Sequence, residues 1–167
     1  MPTIFKQLAL FTVLLWLALP PIMAQQAEEV PFETVIKYSS NGPRKELQRI
    51  VTDKRDWKRI WKKAHRNFPS VPPLPEVDFS QRMIIVVAFE YLPDPSYTIA
   101  ISKIIMTEDM LRVVVKETTR SGRFCAPSPD ILVYPLHIVE AERVKNKLIR
   151  NVQFEVERET VDCQPPG

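Results

Sequence analysis

Histidine, cysteine and glycine are scarce in this chain, with two, two and three copies among 167 residues. Neither His65 nor His137 falls in a His-x-x-x-His or Glu-x-x-His pattern, and there is no Cys-x-x-Cys, so the common metal cages lack their ligands. No Gly-x-Gly-x-x-Gly turn or phosphate-binding loop occurs, and three glycines in the whole chain leave little material for one. Spacing leaves open a carboxylate pair, Asp78 with Glu90 or Asp94 with Asp130, but nothing around them favours acid–base work. The expectation is a chain with no catalytic residues, no metal and no cofactor.

A membrane-spanning run is absent too. The most apolar stretch, Leu8 to Leu19, is too short to cross a bilayer comfortably. It follows Lys6 and precedes Pro20, Pro21 and Ala24, which is the layout of a secretory signal peptide over residues 1–24 cleaved after Ala24, with an uncleaved anchor as the alternative. No Cys stands at the cleavage site, so a lipoprotein signal is missing. Only Lys6 among the charged residues precedes the cut, so the exported chain is nearly neutral. Its charge is uneven, however: residues 25–66 carry 11 basic and 6 acidic side chains, and residues 67–167 carry 11 and 14. That is a bipolar surface and not a nucleic-acid-binding balance. Export places Cys125 and Cys163 where thiols oxidise, and one disulfide between them is expected to tie the tail, residues 158–167, to the body.

What the sequence has in quantity is β-branched and apolar residues in short runs. Phe32 to Tyr38 alternates as a strand, and Ser39-Ser40-Asn41-Gly42-Pro43 turns towards a second strand ending near Val51, which reads as a hairpin. Thr52-Asp53 offers capping oxygens, and Trp57, Ile60, Trp61 and Ala64 recur at helical spacing over about fourteen residues. Four prolines between Phe68 and Pro75 make an extended connector. Met83 to Phe89 is continuously apolar, the mark of a strand buried on both faces. The remainder reads as antiparallel strands at Tyr97 to Met106, Met110 to Thr118, Ile131 to Val139 and Val152 to Val156, with loose ends at the Gln-Glu start and after Cys163. The expected class is α+β: a mostly antiparallel sheet or sandwich with one main amphipathic helix packed on it.

Two surfaces stand out as binding candidates. Lys54, Arg55, Lys58, Arg59, Lys62, Lys63 and Arg66 make a basic helix face that suits an acidic partner or an anionic lipid surface, or is simply solvated. The loop through Pro93, Asp94, Pro95, Ser96 and Tyr97, preceded by Tyr91, combines stiff prolines with aromatics and suits a protein contact; the alternative is a plain turn with Tyr97 pointing inward. Both histidines read as structural.

Ile50-Val51-Thr52 with Trp57 and Trp61, then Val77-Asp78-Phe79-Ser80, Met83 to Val87, and Tyr134-Pro135-Leu136-His137-Ile138-Val139 resemble the C-terminal domain of the protease complex subunit PrcB family over residues 45–157, after an N-terminal segment at 25–44. The resemblance implies a non-enzymatic exported domain that serves as an accessory or stabilising subunit of a secreted or envelope protease complex. Where that family carries a Pro-Thr-Gly-Gly-Tyr-like loop, this chain has Asp94-Pro95-Ser96-Tyr97 and keeps only the tyrosine. The family loop is also similar to that of chagasin-type cysteine-protease inhibitors, so inhibition is the second expectation. The expected partner is another exported protein, a protease in the first instance, with membrane-surface contact as a further option and no nucleic acid. The oligomeric state is open.

Overall fold

A computed structural model describes residues 27–127, 129–143 and 149–163; the expected leader lies outside them. The described residues build an α+β sandwich: two four-stranded sheets and one helix. In the first sheet, β1 (Glu28–Glu29), β5 (Thr98–Met106), β6 (Met110–Ser121) and β8 (Asn151–Asp162) lie in that order. The second has the order β2 (Phe32–Tyr38), β7 (Leu136–Glu142), β4 (Arg82–Ala88) and β3 (Leu47–Val51).

The period-two rule decides what each face of β4 touches. Met83, Ile85 and Val87 face the first sheet and pack among Ile99, Ile104, Leu111 and Val113. Ile84, Val86 and Ala88 face the other way, under helix α1 (Lys54–Ala64). The strand is therefore apolar throughout because it is the middle layer of three, as its composition predicted. Trp57, Ile60, Trp61 and Ala64 fill the helix side of the second core. Asp53 caps the helix by accepting the Asp56 N–H at 2.8 Å. Helix α1 is shorter than the expected fourteen residues and stops at His65, whose N–H bonds the Trp61 carbonyl. Burying such a large apolar side chain stabilises the fold by roughly 1.5–3 kcal/mol, so an Ile60→Asp change would lift the helix off the sheet.

The two tryptophans also hold the proline connector. Their indole N–H groups donate to the carbonyls of Pro75 and Pro72, at 3.0 and 2.9 Å respectively. A proline-rich segment has no strand partner for its carbonyls, and the helix supplies donors for two of them.

Three expectations are corrected. β2 and β3 do not form a hairpin: they are the two edges of one sheet, separated by β7 and β4, and the 39–46 segment crosses over the ends of both. β6 and β8 pair in parallel, not antiparallel. After β6 the chain runs down β7 in the other sheet before returning, so β8 starts beside Met110 and travels in the same direction as β6. Of the start expected to be loose, Glu28 and Glu29 are paired, with Met106 and Ile105 respectively, while Gln25, Gln26 and the end after Cys163 lie outside the described residues. At the far end of β8, Cys163 joins Cys125 in a disulfide with a Cα–Cα distance of 5.0 Å, as expected from the sequence. Among the described residues no helix is long and apolar enough to cross a membrane.

Candidate functional site

The topology gathers three connections at one end of the sandwich: residues 39–46, the loop after β4, and the approach to β7. They are stitched together by main-chain bonds. Leu92 and Val133 exchange N–H to carbonyl bonds at 2.8 and 3.0 Å, and Gly42 N–H reaches the Tyr134 carbonyl at 2.7 Å. Leu92 and Val133 are buried, so strand alternation sends their neighbours Tyr91, Pro93 and Leu132 to the solvent side. Three apolar side chains at this end thus stand in water, Tyr91 at 55% exposed, Leu132 at 54% and, one residue beyond the pairing, Ile131 at 59%. A groove of about 490 Å³ runs beside it, lined by Pro95, Ile131, Leu132, Tyr134, Asn41 and Arg44 among others.

The predicted loop contributes only part of itself. Pro93 and Pro95 are exposed, and Pro95 lines the groove. Asp94 and Ser96 are half-buried. The Asp94 carboxylate accepts the Ser96 N–H at 2.7 Å, and the Asp94 carbonyl accepts the Tyr97 N–H at 3.3 Å, which makes a tight aspartate turn. Tyr97 is half-buried and packs against the inter-sheet core, so the ring at the surface is that of Tyr91.

Sequence reasoning placed Ile131 and Leu132 in a strand. That strand begins only at Leu136, because Pro135 has no N–H and stands between it and the isolated Val133 pairing. The signal was present in Pro129 and Pro135 flanking the two side chains.

All seven cations of the helix face are exposed. Asp56 is the one acid among them and is shared between Arg59 and Arg49, the latter at 3.2 Å from β3. Partial desolvation pushes the Asp56 carboxyl up, but the Arg59 hydrogen bond and the charges of Arg49 and Arg59 outweigh it and hold the pKa below the ordinary value. Lys54, Arg55, Lys58, Lys62, Lys63 and Arg66 have no carboxylate partner among the described residues.

Both histidines are buried, with both ring nitrogens engaged. His65 Nδ1 lies 2.9 Å from the Trp61 carbonyl and must donate to it, leaving Nε2 to accept the Tyr38 hydroxyl at 3.2 Å. His137 has the opposite tautomer: Nδ1 accepts the Ile101 N–H at 2.8 Å, and Nε2 donates to Thr34 Oγ1 at 2.9 Å. Burial, helped by the nearby Lys37 charge, lowers the His137 pKa from 6.5 to about 4. The acidic pair Asp78 and Glu90 stands at opposite ends of β4. Asp78 accepts both the Ser80 hydroxyl and the Ser80 N–H, which hold its carboxyl below the usual range. No cluster of three or more His, Cys, Asp or Glu with metal-binding geometry occurs among the described residues.

No protein-family model, no curated protein and no solved structure matches this chain significantly.

Proposed function

We propose that this chain is an exported protein-binding domain, an accessory or stabilising subunit of a secreted or envelope protease complex, and that it grips its partner with the apolar loop end. The observation that carries this reading is the exposure of Tyr91, Ile131 and Leu132 together, on loops fixed to one another by main-chain bonds. An aromatic and two branched aliphatic side chains held rigid in water lose little freedom on docking and bury apolar area on contact. The Cys125–Cys163 disulfide suits an oxidising compartment, consistent with cleavage of a leader near Ala24. The residue pattern similar to PrcB-type domains supports a protease as partner.

Chagasin-like inhibition draws less support, because Tyr97, the one residue kept from that type of loop, packs inward. The test is affinity purification from the cell envelope or culture fluid at physiological salt. A protease or protease-associated protein should co-purify with the parent and be lost with an Ile131→Asp, Leu132→Asp double variant. Absence of any specific protein with the parent would overturn the reading.

A further inference from the structure

A second concavity lies next to the loop end, between the 43–45 segment and the last turn of α1. It measures about 300 Å³ and is lined by Pro43, Arg44, Lys45, Lys63, Arg66 and Asn67. Four of these six residues are cationic, and none is acidic.

The charges are not explained by the fold. No carboxylate among the described residues pairs with Arg44, Lys45, Lys63 or Arg66, and Glu46 beside them is taken by the Gln48 amide at 2.8 Å. Nor are the cations needed to cap the helix. The Trp61, Lys63 and His65 carbonyls already accept the main-chain N–H groups of His65, Arg66 and Phe68. The helix dipole offers only about half a negative charge at this end, far less than the positive charge collected there. Like charges assembled without counter-charge repel one another, so the cleft stands ready for an anion.

Its walls are pre-built. Asn67 Nδ2 donates to the Gly42 carbonyl at 2.8 Å, while Gly42 N–H is held by Tyr134 on the other side. Gly42 and Pro43 are buried, so the loop bearing Arg44 and Lys45 is fixed relative to Lys63 at the end of the helix and Arg66 in the turn that follows it. The second N–H of the Asn67 amide is left for a ligand.

We propose that this cleft binds a phosphate group, either inorganic phosphate or a phosphate monoester. A dianion with several acceptor oxygens on one atom matches cations converging on one small volume, whereas the single charges of an acidic peptide are spaced along a chain. The cleft adjoins the groove at the apolar loop end, and Arg44 and Asn67 border both; Lys45, Lys63 and Arg66 line the cleft and not the groove.

Titration of the purified protein with inorganic phosphate in a phosphate-free buffer tests this, read by calorimetry and by the shift of the melting temperature. Saturable binding is expected, weakened about tenfold or more by Lys63→Gln with Arg66→Gln, and by Arg44→Gln from the opposite wall. Lys54→Gln with Lys58→Gln, on the same helix face outside the cleft, should leave it unchanged. Without phosphate, the cleft variants should melt no lower than the parent, which separates loss of binding from loss of fold. Co-sedimentation with phosphatidylcholine vesicles, with and without phosphatidic acid, identifies the source. Binding to phosphatidic acid that depends on the cleft assigns a lipid headgroup, and binding to phosphate alone assigns a soluble ligand. Failure of both probes to bind saturably, or equal weakening by the Lys54/Lys58 pair, would overturn the proposal.

Discussion

His137 of one sheet accepts the main-chain N–H of Ile101 in the other, at 2.8 Å, next to the β-bulge that shifts the β5–β6 register between Ile101 and Lys103. A side chain thus stitches the two sheets through the middle of the apolar core. The bond requires an unprotonated Nδ1, which makes the core sensitive to acid.

The folded ring titrates near 4 and the unfolded one near 6.5. Between these values the unfolded chain binds the extra proton, so stability is fully present above pH 6.5 and falls as pH drops towards 4. The full shift corresponds to at most about 3 kcal/mol, and roughly 2 once residual access of water to the ring is allowed for. Urea denaturation at pH 7 and at pH 4.5 should show this loss. His137→Leu should be less stable at pH 7 by on the order of 2 kcal/mol, because the Ile101 N–H is orphaned, and should lose that pH-dependent component. An unchanged pH slope in the variant would assign the acid sensitivity to other groups.

Gly42 is needed for its lack of a side chain. A Cβ there would sit 2.6 Å from the Tyr134 carbonyl and 3.0 Å from Leu136 Cβ. Tyr134 lies in the approach to β7 and Leu136 is the first residue of that strand; neither atom can swing aside, so Gly42→Ala should cost about 2 kcal/mol or more. It should also loosen the loop end. Thermal melting, with hydrogen exchange of the Tyr134 and Gly42 amides, would read both effects.

These contacts mark where sequence reasoning ended. The Trp57, Ile60, Trp61, Ala64 stripe and the Met83 to Ala88 run were legible because helical and buried-strand periods are local properties of the chain. The partners of β2 and β3 were not, since adjacent strands joined by a short turn signal look like a hairpin whether or not two other strands lie between them. The parallel β6–β8 pairing depends on β7 leaving the sheet, which no residue in either strand encodes. At the loop end, the prolines flanking Ile131 and Leu132 hinted at an interruption. The exposure of Leu132, however, follows from the Leu92–Val133 pairing, a contact between segments about forty residues apart.

The indole donors give a direct test of how the proline connector is fastened. Trp57→Phe and Trp61→Phe keep most of the ring contact but leave the Pro75 and Pro72 carbonyls without their partners. Each should lower stability by about 1–2 kcal/mol, including the ring volume lost, whereas either Trp→Ala should cost about 3–5. Limited proteolysis between Phe68 and Val77 should accelerate in the Phe variants before global unfolding does. Equal protection in parent and variants would mean the bonds do not hold the connector.

The disulfide closes a sequence separation of 38 residues and fixes the end of β8 beside β6, where Cys163 N–H also bonds the Ser121 carbonyl. Reduction, or Cys125→Ser with Cys163→Ser, should cost on the order of 4 kcal/mol by removing the constraint on the unfolded chain. The native fold should persist, because Phe154 and Val156 still pack on the inter-sheet core. Denaturation with and without reductant gives the difference directly. A double variant as stable as the parent would place the benefit elsewhere.

Docking through the loop end predicts a separation between binding and stability. Ile131 and Leu132 are more than half exposed, so replacing both with aspartate should change the unfolding free energy by no more than about 0.5–1 kcal/mol. If they anchor a partner, the same change should weaken the complex at least a hundredfold, since each buried anchor contributes about 1–3 kcal/mol to an interface. Tyr97→Ala should do the reverse. It removes a ring packed on the core and so lowers stability, while leaving the exposed cluster in place. Measuring melting temperature and partner capture on both variants therefore distinguishes a surface built for contact from a turn that merely joins β4 to β5. Loss of capture with Tyr97→Ala at a temperature where it remains folded, and retention with the aspartate pair, would move the contact to the loop tip and revive the inhibitor reading.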